Sequence, residues 1–212
     1  MQHGVYVKKI NGNIKLLSDE GEKIIKEEEK LKVNNKYEII LDKNSYANIS
    51  HETSPESREE GFLCVLFPDS NVKVLTGRGT IKEIEIVNGI VFAPSILKVK
   101  IPFAEFIDYP FSTLCCIEVV KNEKVIVTNG RAVIMNKKTK KSVQLENGHQ
   151  VIITENSISN EIAEQRYKEL MKIFERLYAF EGQTLYKNIS NKSDELMQAT
   201  LYVNKILAQK TG

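Results

Sequence analysis

The chain is short of several residues that usually announce a function. It has no tryptophan, three cysteines, three histidines, five prolines and almost no net charge, with 30 Lys and Arg against 28 Asp and Glu. The balanced charge gives no electrostatic basis for a nucleic-acid or anionic-membrane partner. The basic stretch NKKTKK at 136–141 reads as a solvated hairpin tip. No segment approaches the roughly 18 apolar residues of a membrane span, and no apolar segment of signal-peptide type opens the sequence. No membrane insertion is expected of the chain as given. Cys64, Cys115 and Cys116 form neither a disulfide framework nor a paired C-x-x-C metal site. Cys115 and Cys116 are neighbours on an apolar run, so they point to opposite faces of a strand. One of them could meet Cys64, or all three fill the core as small hydrophobes.

Chemistry-bearing motifs are equally scarce. His3, His51 and His149 lack the i, i+4 spacing of a helical zinc pair, and no metal is predicted. TGRGT at 76–80 has two glycines but no Gly-Lys-Ser/Thr ending and no following helix. It reads as a turn, and no phosphate loop or cofactor is expected. No G-x-S-x-G element is present. A carboxylate pair for glycoside hydrolysis would be assembled by folding rather than by spacing. The lack of tryptophan counts against such a sugar site. No catalytic residue is predicted, and the chain reads as a non-enzyme.

What the sequence does contain is a long series of short strands. Runs such as YEIIL, FLCVLF, NVKVL, IKEIEIV, KVIVT and HQVIIT recur every 8–12 residues up to about residue 155, rich in Val and Ile, often alternating, and separated by turn residues. This predicts a mainly β chain, either an antiparallel sandwich or a stacked, solenoid-like arrangement of sheets. Four of the eleven glycines follow an asparagine: Gly12, Gly89, Gly130 and Gly148. Asn-Gly suits a type I′ hairpin, which needs positive φ at both central residues. The four are therefore expected to be structural turns, with Asn88-Gly89, Asn129-Gly130 and Asn147-Gly148 as hairpin tips.

After about residue 157 the period changes. Ala163, Tyr167, Leu170, Met171, Phe174, Leu177 and Tyr178 repeat at helical spacing. Ser159 or Asn160 could cap that helix, with Glu161 and Glu164 in its first turn. A second helix is expected from about Ser193, with Leu196, Ala199, Val203, Ile206 and Leu207 along one face. The division is thus a β domain over 1–156 and a helical extension over 157–212. The face formed by Tyr167, Leu170, Met171, Phe174, Leu177 and Tyr178 is a docking face, because two helices alone cannot bury it. It packs on its own domain or on a second copy.

The order of segments resembles that of FecR-like domains. VYVKKINGNIKLL leads through a polar segment to further strands. FLCVLFPDSNVKVLTGRGTIKEIEIVNGIVFAP is similar to the family's middle. The hairpin-like patterns V-x-V-x-x-G-x-x-V at 125–133 and V-x-L-x-x-G-x-x-V at 143–151 are similar to its end. The likeness covers about residues 5–155. It implies a non-enzymatic binding or scaffold module of the cell envelope, extracytoplasmic and here without an export segment, though a cytoplasmic location stays open. It also implies a protein partner or self-association. A sensor domain of an envelope-to-sigma-factor regulator is the alternative reading, and a carbohydrate-active enzyme on a β scaffold a third.

Overall fold

The computed structural model describes residues 5–25, 30–33, 35–52, 60–77, 80–94, 98–108, 113–120, 123–165, 167–169, 171, 178–181 and 184–187. The chain is mainly β, as its alternation predicts. Among the described residues, seventeen strands form one continuous hydrogen-bonded system, and a separate two-stranded hairpin follows.

The seventeen strands, numbered in chain order, lie in two sheets. In spatial order the first sheet is β4 (Lys30–Val33), β1 (Val5–Asn11), β6 (Tyr46–Glu52), β7 (Glu60–Leu66), the second half of β9 (Thr80–Pro94), β12 (Leu114–Val119), β13 (Glu123–Asn129), β16 (His149–Ile153) and β17 (Ile158–Ile162). The second sheet is β3 (Gly21–Ile25), β2 (Ile14–Ser18), β5 (Lys36–Leu41), β8 (Asn71–Gly77), the first half of β9, β10 (Val99–Ile101), β11 (Ala104–Asp108), β14 (Ala132–Asn136) and β15 (Ser142–Leu145). Every pairing is antiparallel except β9 with β10. One apolar cluster takes alternate residues from both sheets, including Val5, Ile49, Ile117 and Val151 of the first and Ile14, Ile39, Val72 and Ile134 of the second. Period-2 patterning puts those residues on one face of each strand.

The Asn-Gly pairs build the joint between the sheets. All four glycines have positive φ: +76° at Gly12, +103° at Gly89, +94° at Gly130 and +80° at Gly148. The expected hairpins at 88–89, 129–130 and 147–148 are not formed. Gly12 lies between β1 and β2, Gly130 between β13 and β14, and Gly148 between β15 and β16. In each case the two strands belong to different sheets. Gly89 sits inside β9, whose first half pairs with β8 and second half with β12. Each pair is thus a corner at which the chain leaves one layer for the other. A type I′ turn also needs positive φ at the asparagine. Asn35, Asp69, Phe103 and Lys140 are the described non-glycine residues with positive φ, and none belongs to an Asn-Gly pair.

Three corners share one construction. Ser45 Oγ donates to the Asn13 carbonyl at 2.7 Å, Ser70 Oγ to the Ile90 carbonyl at 3.0 Å and Thr113 Oγ1 to the Arg131 carbonyl at 3.0 Å. Each carbonyl belongs to the residue after a corner glycine, and all three hydroxyl residues are buried. A Cβ on Gly12, Gly89 or Gly130 would lie 2.2, 2.4 or 2.6 Å from that hydroxyl oxygen. Glycine is therefore required there for close approach as well as for φ. Gly148 has open space where a Cβ would be, so only its φ favours glycine.

The C-terminal expectation needs correction. Residues 158–162 form β17, paired along its length with β16, so the sheet runs past the expected boundary at 156, and Ser159 and Asn160 cap no helix. The strand wins because its partner is already in place after a four-residue turn, closed by Thr154 N donating to the Ser157 carbonyl at 3.0 Å. Helical backbone begins at 165 and is described at 165, 167–169 and 171. Tyr178, expected on the helix, instead opens β18 (Tyr178–Glu181), which pairs with β19 (Thr184–Lys187). Leu170, Phe174, Leu177 and the second helix from Ser193 lie outside the described residues.

Candidate binding surfaces

The two outer faces differ in kind. On the first sheet, register places Asn48 beside Val65, Val65 beside Phe92 and Phe92 beside Cys116. These residues alternate away from the inter-sheet cluster, yet all are buried, as is Gln150 farther along. β12 is buried on both faces over its whole length. The chain after β17 accounts for this cover. Glu164 N donates to Gln150 Oε1 at 3.3 Å, Ala163 N donates to the Gly148 carbonyl at 2.9 Å, and the β19 backbone runs against β7. Two residues of the expected docking face, Tyr167 and Met171, are 1% and 4% exposed within the single chain. Where it is described, the tail is spent on its own domain.

The cysteines follow the same division. Cys115 lies in the inter-sheet cluster with Cys64, whereas Cys116 faces the covered side. Cys115 pairs across to Ala93 on β9, and β9 lies between β12 and β7, which carries Cys64. Two strand spacings are about 10 Å, beyond the reach of a disulfide. All three thiols are free and buried. Burial raises each thiol pKa, that of Cys115 to about 12, so none is a ready nucleophile.

The outer face of the second sheet is a solvated charge ladder. Glu38, Lys73, Glu85, Lys100 and Glu105 stand opposite one another on successive strands, with the sign alternating at each step. Lys100 and Lys98 also reach Glu83 at 2.7 and 3.1 Å, and the hydrogen bond from Lys100 chiefly holds that carboxyl below the usual range. Opposite charges on neighbouring strands favour one another and largely offset. An open depression lined by Leu17, Asp19, Lys36, Tyr37, Glu38 and Lys73 continues this mixed surface.

The sheet edge at β17 is different again. Ala163 N donating to the Gly148 carbonyl and Thr154 N donating to the Ser157 carbonyl fix the phase of the β16–β17 ladder. Counting by two, Ser159 and Glu161 turn their backbone groups to β16, while Ile158, Asn160 and Ile162 turn theirs outward. Among the described residues β17 pairs with β16 alone. Its side chains are exposed or half-buried, and Ile162 is 73% exposed. The Asn160 side chain bridges His149 Nδ1 and the Gln144 carbonyl at 3.0 and 2.9 Å, which ties the edge to β16 and β15.

No family model, no curated protein and no solved structure matches the chain. The surfaces themselves therefore carry the functional reading. Among the described residues no group of three or more His, Cys, Asp or Glu could hold a metal ion, and no helix is long and apolar enough to cross a membrane. His149, the titratable residue beside an Asn-Gly pair, is held by Asn160 at this edge. Reading the sequence alone misses the hydroxyl partners Ser45, Ser70 and Thr113, because each becomes a corner residue only through a strand distant in sequence.

Proposed function

We propose that the chain is a FecR-like, non-enzymatic binding or scaffold module of the cell envelope, and that it engages a protein partner by strand addition at β17. The β17 edge, whose Ile158, Asn160 and Ile162 backbone groups turn outward, carries this reading. Main-chain groups at a free edge supply affinity to an added strand, and exposed side chains such as Ile162 supply selectivity. The tail, the other candidate docking element, supports the same choice, because Tyr167 and Met171 are already buried in their own chain. The resemblance in strand order and turn glycines supports the family and the envelope location.

Ile162→Pro tests the reading. It removes an amide that points outward and leaves the β16 ladder intact, whereas Glu161→Pro breaks a ladder bond. The full chain, in sedimentation and in capture of envelope proteins, is expected to form a complex that Ile162→Pro loses at unchanged thermal stability. A complex that persists equally in Ile162→Pro removes β17 as the site. A chain that associates neither with itself nor with any envelope protein removes the binding function.

A further inference from the structure

The corners at Gly130 and Gly148 join the two sheets at one end of β13–β16, and the layers meet again at the other end of those strands, the end that also carries Gly89, in register with Val119 and through it with Glu123. There Asn136 acts as a clasp. Its Nδ2 donates to the carbonyls of Thr154 at 2.8 Å and Ser157 at 3.2 Å, in the turn between β16 and β17 of the first sheet. Its Oδ1 accepts from Lys138 N and Thr139 N at 3.0 and 2.8 Å, in the turn after β14 of the second sheet. Beside it, Lys137 Nζ donates to the Ile101 carbonyl at 2.6 Å, and Lys137 N to the Phe103 carbonyl at 2.8 Å. Pro102 and Phe103 form the turn between β10 and β11, with Phe103 at φ +49°. That is an unusual conformation for a bulky residue and marks a locally strained end.

Glu123 opens β13 at this same end. Register sets it opposite Val119 and Ile153, both members of the inter-sheet cluster, and it alternates with Val125 and Val127 of that cluster. Its side chain thus points between the sheets. It is 2% exposed, and neither carboxyl oxygen has a hydrogen-bond partner among the described residues. Lys137 is the charged group that acts on it, but its ammonium is anchored on the Ile101 carbonyl. The nearest other charges in the two clasp turns, Lys138 and Glu155, pair with each other at the surface at 2.7 Å. β12 and β16 present apolar Val119 and Ile153.

We propose that the clasp between β14 and the β16–β17 turn is a proton-held latch: Glu123 stays protonated while the sheets are closed over it, and loss of that proton favours parting of the strand ends held by Asn136 and Lys137 while the corners at Gly130 and Gly148, at the opposite end of the same strands, stay shut. A carboxylate with no donor cannot remain in an apolar gap, so it must either keep its proton or reach water. Burial, partly offset by Lys137, raises the Glu123 pKa from 4.5 to about 8. For an acid whose pKa is raised in the closed state, the open state binds fewer protons between the two values. Closing therefore weakens as pH rises from about 4.5 to about 8 and levels off above.

Amide hydrogen exchange of the full chain between pH 5 and 9, corrected for intrinsic rates, tests this. Protection at Asn136, Lys137 and Thr154 is expected to fall by up to tenfold per pH unit and then level off. Protection at His149 and Ala163, in the Gly148 corner at the opposite end, is expected to hold. Glu123→Gln is expected to abolish the trend. Lys137→Met, which removes the cation that eases ionisation, is expected to move the levelling-off point to higher pH. Equal pH dependence in the parent and Glu123→Gln overturns the latch. So does an equal fall at the clasp amides and at the Gly148 corner, which marks global destabilisation. If Glu123→Gln does not fold, an unmoved levelling-off point in Lys137→Met overturns it.

Discussion

Gly89→Ala separates a corner from a hairpin by the size of its cost. At a hairpin tip the added methyl projects into solvent, and the substitution loses only the comfort of positive φ, about 1–2 kcal/mol. At Gly89 three costs combine. The φ of +103° is unfavourable for alanine. The new Cβ would lie 2.4 Å from Ser70 Cα and 2.4 Å from its Oγ, so backbone has to move, an overpacking cost of about 1–3 kcal/mol. Displacing Ser70 breaks its bond to the Ile90 carbonyl at 3.0 Å and the return bond from Ile90 N at 3.1 Å, both buried. These are worth about 1 kcal/mol each. The sum is about 4–7 kcal/mol, a large share of a typical stability of about 5–15 kcal/mol. Gly148→Ala is the control, with similar φ but open space at the Cβ position, and should cost about 1–2 kcal/mol. Urea denaturation gives both values. Ser70→Gly in the Gly89→Ala background should return part of the loss, because the clash is with that side chain as well as its backbone. Equal costs at 89 and 148 would refute the corner argument.

Asn136→Asp should destabilise by about 2–4 kcal/mol at neutral pH, since it sets a carboxylate against the carbonyls of Thr154 and Ser157; chemical denaturation measures it, and a change under 1 kcal/mol would show that the clasp is idle. Ending the chain after Ala163 removes Tyr167 and Met171, each buried and worth about 1.5–3 kcal/mol. The shortened chain should aggregate or melt earlier and expose Cys116 to thiol reagents, and unchanged stability with an unreactive Cys116 would show that the tail covers nothing.

Reading the sequence identified most of the strands and the positive-φ glycines, because these are set locally, but it ended the sheet too early, before β17. It misplaced the turns for a physical reason. Ile86 and Val91 lie five apart across Asn88-Gly89 and both face the core. Val127 and Ala132 lie five apart across Asn129-Gly130 and also face it. Residues five apart across a two-residue turn are also what a hairpin would bury together. Apolar spacing therefore cannot tell a strand that doubles back from one that turns into the facing layer. The distinguishing residues are Ser45, Ser70 and Thr113, which come from other strands. Glu123 escaped notice likewise. A glutamate flanked by Asn122 and Lys124 reads as part of a polar turn, and only the register with Val119 and Ile153 turns it inward.

The corners also bear on where function resides. Each joins the layers through a glycine, and three add a buried hydroxyl bond, so relative motion of the sheets there requires breaking several packed contacts together. The outer face of the first sheet is buried, with Glu164 N bonded to Gln150 there, and that of the second carries its own charge ladder. Broad-face recognition would have to displace one or break up the other. The β17 edge and the clasp at Asn136 are under neither constraint. β17 offers backbone groups that nothing described in the chain satisfies, and the end guarded by Asn136 encloses a carboxyl that nothing described in the chain pairs. Both lie beside the β16–β17 turn, whose Thr154 and Ser157 carbonyls receive Asn136. A partner strand added along β17 would therefore meet the element that the clasp holds, and its affinity should change with pH if the latch and the edge are coupled through that turn.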